Sequence, residues 1–188
     1  FHMAGILDDA SVMNLTTEQY FKVLQAKVNG AWNLDQLSKN LDLDYFVLFS
    51  SSTILFGSPG QTAYVAANAY MDALARKRKQ EGKAALAIQW GTVAEVGLAA
   101  AAGNRADRLS DEGIAPLMPA ECVEIFEAVV SKDIPVIGAF RFDISKWQNS
   151  YPAAAKDPFF DLLRSDIKTQ TSVAAITEIS IQDLLAQL

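Results

Sequence analysis

The sequence predicts an α/β fold: a partial parallel sheet with flanking helices. The first observation is three apolar runs, at residues 45–49 (YFVLF), 84–90 (AALAIQW) and 134–140 (IPVIGAF). Each run is apolar on both alternating faces, as expected of a strand covered on both sides in a parallel sheet. The second is that stretches of helical periodicity separate the runs, and alternation of strand and helix is typical of a parallel α/β sheet.

The helices are predicted from caps and periodicity. Thr16 precedes Gln19 by three residues, a capping-box spacing that begins a long helix. Apolar residues spaced three or four positions apart predict the buried face of that helix. They are Tyr20, Val23, Leu24, Val28, Trp32 and Leu34, with Leu37 and Leu41 beyond. Lys27 in the same helix is either a solvated lysine or a charge directed at a functional site. Further helices are expected at about 61–80 and from Pro119.

The basic run of the second helix, the first residues of the chain and the three tryptophans give further predictions. The basic run 76–79 at the end of the second helix is interpreted as ordinary helix-terminal charge, with a docking surface for an acidic partner as the alternative. Residues 1–5 are expected to be strand, with His2 at its end, and Trp32, Trp90 and Trp147 are expected in the core.

The composition excludes several classes of function. The 188 residues are 51% hydrophobic and 20% charged, with one cysteine and one histidine. No apolar run approaches the roughly 18 residues of a membrane span, and a single cysteine fits a reducing cytoplasm. One histidine makes a histidine-based metal site or a Ser-His-Asp hydrolase improbable, and a net charge of -6 argues against nucleic acid as a partner.

The central motif runs from residue 45 to residue 72. Its strand ends in the hydroxyls of residues 50–52, a turn with Gly57 and Gly60 follows, and a helix brings Tyr64 and, one turn later, Asn68. A serine, a tyrosine and an amide at the carboxyl end of a strand can handle a carbonyl oxygen. The alternative is that they are only strand-end and helix-cap residues.

Five runs in order, HMAGILDD, KVNGAW, YFVLFSSS, GSPGQTAYVAANAYMDALA and AIQWGTVAEVG, resemble the ketoreductase domain of modular type I polyketide synthases and animal-type fatty acid synthases. These domains belong to the short-chain dehydrogenase superfamily, and the resemblance covers roughly residues 1–142. It implies that the chain is the C-terminal half of a short-chain dehydrogenase fold.

The resemblance assigns the catalytic roles. It implies a catalytic serine at Ser51, thirteen residues before a catalytic tyrosine at Tyr64. Asn68 stands four after the tyrosine, where ordinary short-chain dehydrogenases have lysine, and the lysine lies upstream at Lys27, an exchange typical of synthase ketoreductases. Tyr64 would protonate the alkoxide, Lys27 would stabilise the phenolate, Ser51 would hydrogen-bond the carbonyl oxygen, and Asn68 would hold Lys27 or a water.

The same resemblance implies NADPH as cofactor and a β-ketoacyl thioester as substrate. The expected cofactor-binding residues are Lys27, Tyr64, Ala4, Gly5, Trp90, Gly91 and Thr92, with residues 94–113 as a lid. The substrate and stereocontrol residues are Leu7, Asp8, Asp9 and Gln61. An LDD motif marks B-type domains that give the D-hydroxyl, and Phe56 stands where the opposite type usually has tryptophan.

The chain contains no G-x-G-x-x-G phosphate loop. The expected organisation is a catalytic half-subdomain at 1–142, a packing segment at 143–164 and a linker at 165–188 towards an acyl carrier protein. Its expected partners are a carrier-bound β-ketoacyl substrate, the N-terminal half of the same module, and a second copy at the exposed sheet edge. The alternative function is a non-catalytic structural ketoreductase-like subdomain, or a fragment inactive without its N-terminal half.

Overall fold

The computed structural model describes residues 1–94, 105–153 and 156–161. Its helices are α1 (Thr17–Leu24), α2 (Gly30–Leu37), α3 (Thr53–Phe56), α4 (Thr62–Gln80), α5 (Arg105–Asp111), α6 (Pro119–Val129) and α7 (Ile144–Ser150). A π-helical turn, Gln25–Asn29, joins α1 to α2, and a 3-10 turn covers Pro158–Phe160. The strands are β1 (Val47–Ser51), β2 (Leu86–Trp90) and β3 (Val136–Ala139).

Two compact units make up the described residues. The first contains Phe1–Gly91 and Val129–Phe140, and the second contains the described residues of 92–128 and 141–188. The predicted linker at 165–188 and residues 95–104 of the predicted lid lie outside the described residues.

The sheet of the first unit is parallel, with the order β1-β2-β3. Val47 pairs with Leu86, and Ala87 in turn pairs with Val136. All five residues of β2 are buried, as expected of a strand covered on both faces. Its one polar residue, Gln89, donates a hydrogen bond to Asp72 on α4. The predicted parallel α/β fold is therefore confirmed, with each strand beginning about two residues later than its apolar run.

The predicted strand at residues 1–5 is reduced to one parallel bridge between His2 and Leu48. His2 N–H donates to the Val47 carbonyl at 2.8 Å, and Phe49 N–H donates to the His2 carbonyl at 3.0 Å. The bridge places the first residues of the chain along the side of β1 that β2 does not occupy.

The helix after Thr16 begins as predicted, because the Thr16 and Gln19 side chains form both bonds of the capping box. The prediction of its buried face is confirmed for Val23 and wrong for the exposed residues Trp32, Leu34, Leu37 and Leu41, while Tyr20, Leu24 and Val28 are half-buried. The buried residues of this stretch are Val23, Lys27, Ala31 and Asp35, and Trp32 is 47% exposed. A residue four positions on in an α-helix lies about 40° further round the axis, so a four-residue repeat drifts off one face. The wider π turn at Lys27 offsets part of this drift.

Helix α4 packs between the sheet and the helices before it. Its small residues Ala63, Ala67 and Ala75 are buried, as is Met71, so backbone and sheet approach closely. The interpretation of the basic run as helix-terminal surface charge is wrong for Arg78, which is 1% exposed.

In the second unit, a bridge joins Val93 to Leu117, and the N–H of Leu117 donates to the Thr92 carbonyl at 2.8 Å. Trp147 on α7 is buried as predicted, and its ring lies 4.3 Å from that of Tyr151. Among the described residues, no helix is long and apolar enough to cross a membrane.

Candidate active site

The candidate site lies at the carboxyl end of β1. Ser51 is the last residue of the strand and is 7% exposed. Two glycines with positive φ, Gly57 (73°) and Gly60 (81°), turn the chain between α3 and α4. Tyr64 then lies in the first turn of α4, and Asn68 one turn later. The order of strand, turn and helix predicted for this motif is confirmed.

Lys27 enters this site from the π turn. Its side chain is buried, and Nζ donates a 2.9 Å hydrogen bond to the carbonyl of Phe49 on β1. The same Nζ lies 5.3 Å from the centroid of the Tyr64 ring, within range of a cation–π contact. The structure thus brings together Lys27, Tyr64 and the end of β1, and excludes the solvated alternative for Lys27.

Burial sets the electrostatics of this lysine. Removal from water lowers the pKa of Lys27 from 10.5 to about 8. Desolvation is the one cause, because no carboxylate of the described residues offsets it with a charge of opposite sign. At neutral pH the side chain is therefore mainly an ammonium, and it loses its charge as the pH rises through about 8.

A closed set of hydrogen bonds fixes Lys27 at both ends. The His2 ring nitrogen Nε2 lies 3.1 Å from the Lys27 carbonyl, and since a carbonyl only accepts, Nε2 donates. His2 itself is bridged to β1 through Phe49 N–H, and the Phe49 carbonyl accepts from Lys27 Nζ. Burial lowers the pKa of His2, so the neutral ring with its proton on Nε2 fits this role.

Gly30 makes room for this arrangement. A Cβ at Gly30 would lie 2.8 Å from His2 Cε1, closer than side chains pack. The residue three after Lys27 is therefore glycine because the imidazole ring occupies the space of its side chain.

Asn68 is fully buried behind Tyr64. Its Nδ2 donates to the Tyr64 carbonyl at 2.8 Å, while Oδ1 has no hydrogen-bond partner among the described residues. Lys27 Nζ donates its hydrogen bond to the Phe49 carbonyl rather than to Asn68. Of the two predicted roles for Asn68, the geometry favours the holding of a water, because a buried amide oxygen without a protein donor is costly unless solvated.

The predicted stereocontrol residues meet the start of α4. Gln61 is the residue immediately before the helix, and its Nε2 donates to both carboxylate oxygens of Asp9 at 3.2 Å. Asp8 points elsewhere, to Lys22 Nζ at 2.8 Å and Gln19 Nε2 at 2.9 Å, and Leu7 is half-buried. The structure brings Asp9 and Gln61 together, and assigns Asp8 to the surface of α1.

The predicted cofactor residues are divided between the two units. Ala4 is exposed and Gly5 half-buried, whereas Trp90 at the end of β2 is buried. Gly91 follows it and must be glycine, because an added Cβ would lie 2.7 Å from Phe140 Cβ. Thr92 is buried and begins the second unit.

The donor set at Lys27 suits the nicotinamide half of a dinucleotide. An ammonium carries three N–H donors and no acceptor, and among the described residues Lys27 uses one of them, on Phe49. The remaining donors fit ribose hydroxyls. The chain has no glycine-rich loop for the pyrophosphate, so the fit covers the nicotinamide end only.

Sequence reasoning missed two residues of this site. The sequence predicts only a strand end at His2. Its hydrogen bond to the Lys27 carbonyl spans 25 residues, and no sequence pattern indicates a contact over that separation. Thr53 contacts the Ser51 hydroxyl, and here a signal existed: a serine or threonine two residues away is well placed for local hydroxyl–backbone bonds.

No cluster of three metal-ligating side chains occurs in the part of the chain that the structure describes. The candidate site contains a serine, a tyrosine, an amide and a buried lysine, residue types that can hydrogen-bond to a carbonyl oxygen.

Comparison with known proteins identifies the family of this chain. The family model described as KR domain matches residues 1–95. The phenolphthiocerol synthesis polyketide synthase type I Pks15/1 of Mycobacterium bovis is 44% identical over 144 residues, which cover 76% of this chain and 7% of the relative. Pks1 of Mycobacterium tuberculosis, whose description includes the word inactive, shows the same identity over 144 residues and 9% of its length.

A solved structure titled as an A1-type ketoreductase has a TM-score of 0.82 and 33% identity, and the match covers 90% of this chain and 36% of that one. The chain thus spans a small part of the curated relatives and about a third of the solved chain. Family model, relatives and solved structures agree on the family: the chain belongs to the KR family, the ketoreductase domains of modular type I polyketide synthases.

Proposed function

We propose that this chain carries the catalytic residues for reduction of a β-ketoacyl thioester to a β-hydroxyacyl thioester. The observation that carries the proposal is the buried Lys27 ammonium, held by the Phe49 carbonyl and lying 5.3 Å from the Tyr64 ring centroid. A buried cation with no carboxylate partner among the described residues costs folding free energy. It lies where its charge can stabilise the phenolate of Tyr64.

Tyr64 is the proton donor of the reaction. A free tyrosine has a pKa of about 10, so loss of its proton near neutral pH requires a nearby positive charge. The ammonium of Lys27 supplies that charge, and the proton moves from Tyr64 Oη to the ketone oxygen as a C–H bond forms at the ketone carbon. Ser51 donates a hydrogen bond to the same oxygen as its negative charge grows.

KR-family domains use a nicotinamide cofactor, and we assign NADPH. When bound, NADPH supplies the hydride that adds to the ketone carbon. Lys27 would bind the nicotinamide ribose through its remaining N–H donors, together with Tyr64. Ala4, Gly5, Trp90, Gly91 and Thr92 complete the proposed cofactor set.

The proposed product is the D-hydroxyl of a B-type domain. Support comes from the LDD motif and from the bond between Asp9 and Gln61, which ties this loop to the start of the helix that carries Tyr64. The similar solved structure is titled A1-type, so the assignment depends on the motif rather than on that likeness. Leu7 and Asp8 belong to the proposal through the motif alone.

The proposed context is a synthase module in the cytoplasm. The substrate would arrive on an acyl carrier protein, and the N-terminal half of the same domain would supply the phosphate-binding part of the cofactor site. The boundaries at 142 and 164, and self-association at the edge of the sheet, stay predictions. The alternative, a structural subdomain without activity, predicts no role for Tyr64.

The test is ketone reduction by the complete natural polypeptide that contains this sequence. Tyr64→Phe should lower kcat by about 10²- to 10⁴-fold, the usual range for loss of a general acid, with the melting temperature unchanged. Tyr70→Phe removes a hydroxyl from the same helix outside the site and is the matched control.

Unchanged NADPH oxidation in Tyr64→Phe would contradict the proposed chemistry and support the structural alternative. Chiral analysis of the product from the wild-type protein tests the stereochemistry separately, and an L-hydroxyl would overturn the B-type assignment alone.

A further inference from the structure

The hydroxyl of Ser51 has two hydrogen-bond partners that come from one residue. The backbone N–H of Thr53 lies 3.3 Å from Ser51 Oγ, and the Thr53 hydroxyl lies 3.0 Å from the same oxygen. Thr53 is the first residue of α3 and follows the strand end by two residues. Its backbone places the N–H, and its side-chain rotamer places the hydroxyl, against Ser51 Oγ.

The capacity of a hydroxyl decides what this contact does. A serine hydroxyl has one donor and two acceptor positions. The Thr53 amide can only donate, so it takes one acceptor position of Ser51 Oγ. Between the two hydroxyls either could donate, and the direction depends on what else Ser51 contacts.

A ketone oxygen removes this ambiguity, because it only accepts. With the ketone in place, both hydroxyls are satisfied in one way: Thr53 donates to Ser51, and Ser51 donates to the ketone. Among the described residues, the Thr53 hydroxyl donates to Ser51 Oγ. Two donors on its oxygen also polarise the Ser51 O–H and strengthen the bond that it donates.

The neighbouring serine is committed to another contact. Ser50 Oγ donates to the Asn68 carbonyl at 3.4 Å, which holds it against α4. Ser51 is therefore the strand-end serine whose proton Thr53 can direct.

We propose that Thr53 is a positioning residue that occupies the acceptor side of Ser51 Oγ and thereby directs the Ser51 proton to the substrate carbonyl oxygen. The inference rests on the proposed ketone reduction and adds a residue to it. Thr53 does not touch the substrate and acts through Ser51, so its effect must vanish when the Ser51 hydroxyl is absent.

A double-mutant cycle tests this dependence in the complete natural polypeptide, with the N-acetylcysteamine thioester of 3-oxobutyrate as substrate and NADPH oxidation as readout. Thr53→Val keeps the shape and removes the hydroxyl. It should lower kcat by about 3- to 10-fold, the effect of one hydrogen bond, with little change in KM. The loss falls on kcat because the bond from Ser51 strengthens as the oxygen gains charge.

Four further variants complete the experiment. Ser51→Ala lowers kcat further, and adding Thr53→Val to it should change kcat by less than about twofold. Thr53→Ser restores the hydroxyl and should recover most of the activity. Thr62→Val makes the same chemical change at the exposed start of α4 and should leave kcat and the melting temperature unchanged.

The outcomes separate the inference from the function on which it rests. Wild-type kcat in Thr53→Val, or an equal loss in the presence and absence of the Ser51 hydroxyl, would overturn the role of Thr53 and leave the ketone reduction intact. Wild-type kcat in Ser51→Ala, or no reduction of the thioester by the wild-type protein, would overturn the proposed function and this inference with it.

Discussion

Two buried cations lie on the helices of the first unit, and they are held in opposite ways. Arg78 on α4 is 1% exposed and Lys27 in the π turn is 3% exposed. Arg78 is paired with a carboxylate, whereas Lys27 meets a backbone carbonyl and the face of an aromatic ring. The difference separates a cation that holds the fold together from one that is available for chemistry.

Arg78 is held by an ion pair, a backbone hydrogen bond and an aromatic ring. Nη1 bonds to Asp35 Oδ1 at 2.6 Å, Nε donates to the Ala84 carbonyl at 3.1 Å, and the group stacks 3.8 Å from the centroid of the Phe46 ring. These contacts join α2, α4 and the residue before β1. A buried charge that is paired in this way serves the packing.

The environment of Lys27 leaves its charge only partly compensated. A carbonyl oxygen and a π face carry partial negative charge, so they accept the ammonium without neutralising it. The lowered pKa of about 8 is the consequence. Folding therefore places a partly compensated charge beside Tyr64, at a cost in folding free energy. Perturbed pKa values of this kind are typical of functional sites.

The largest expected effect on stability comes from breaking the Arg78 pair. Arg78→Met should lower the free energy of unfolding by about 3–5 kcal/mol, because the Asp35 carboxylate is left buried and unpaired. The folded fraction should keep its kcat, since Arg78 contacts no residue of the proposed site. Urea denaturation and the ketone-reduction assay measure the two quantities.

The matched control is Arg76→Met, an exposed arginine on the same helix, which should change stability by less than about 0.5 kcal/mol. The double variant Asp35→Leu with Arg78→Met should recover much of the stability, because no buried charge remains. If Arg78→Met instead abolished kcat without unfolding the protein, the structural assignment of this cation would be wrong.

Lys27→Met should produce the reverse pattern. Loss of the cation beside Tyr64 should lower kcat by roughly 10²- to 10³-fold, while the free energy of unfolding at neutral pH stays equal or rises, because a desolvated charge is removed. Steady-state kinetics and urea denaturation check the two halves. A stability loss as large as that of Arg78→Met would contradict the distinction between the two cations.

The smallest expected effect is a pH dependence that belongs to Lys27 alone. Its pKa is about 8 in the folded protein and 10.5 when unperturbed, so between these values the unfolded chain binds more protons. The free energy of unfolding should therefore rise with pH across this window, by at most roughly 3 kcal/mol. Below about pH 8 the full cost of burying the charge is present.

Denaturation of wild type and Lys27→Met at several pH values measures this slope. The free energy of unfolding of the wild-type protein should rise relative to that of Lys27→Met from pH 8 to 10.5. Reduction should also decline above about pH 8, as the lysine loses the charge that stabilises the phenolate. Parallel stability profiles would show that Lys27 keeps an ordinary pKa.

The sequence by itself determined the alternation of strands and helices, the capping box at Thr16, and the placing of Ser51, Tyr64 and Asn68 around the end of β1. Each depends on contacts between residues near in sequence or on the period of a regular element. Such contacts can be read from spacing, since a helix or strand fixes where neighbours lie.

Only the tertiary structure decided what buries Lys27, which face of its helix is covered, and which partners Arg78 and the Lys27 carbonyl find. The partners come from 25 and 43 residues away, and periodicity carries no information about which distant chain segments meet. The π turn likewise left no mark in the pattern of apolar residues. The sequence therefore supplied the reactive groups, and long-range packing supplied the desolvation that lowers the pKa of Lys27 and the bonds that hold it beside Tyr64.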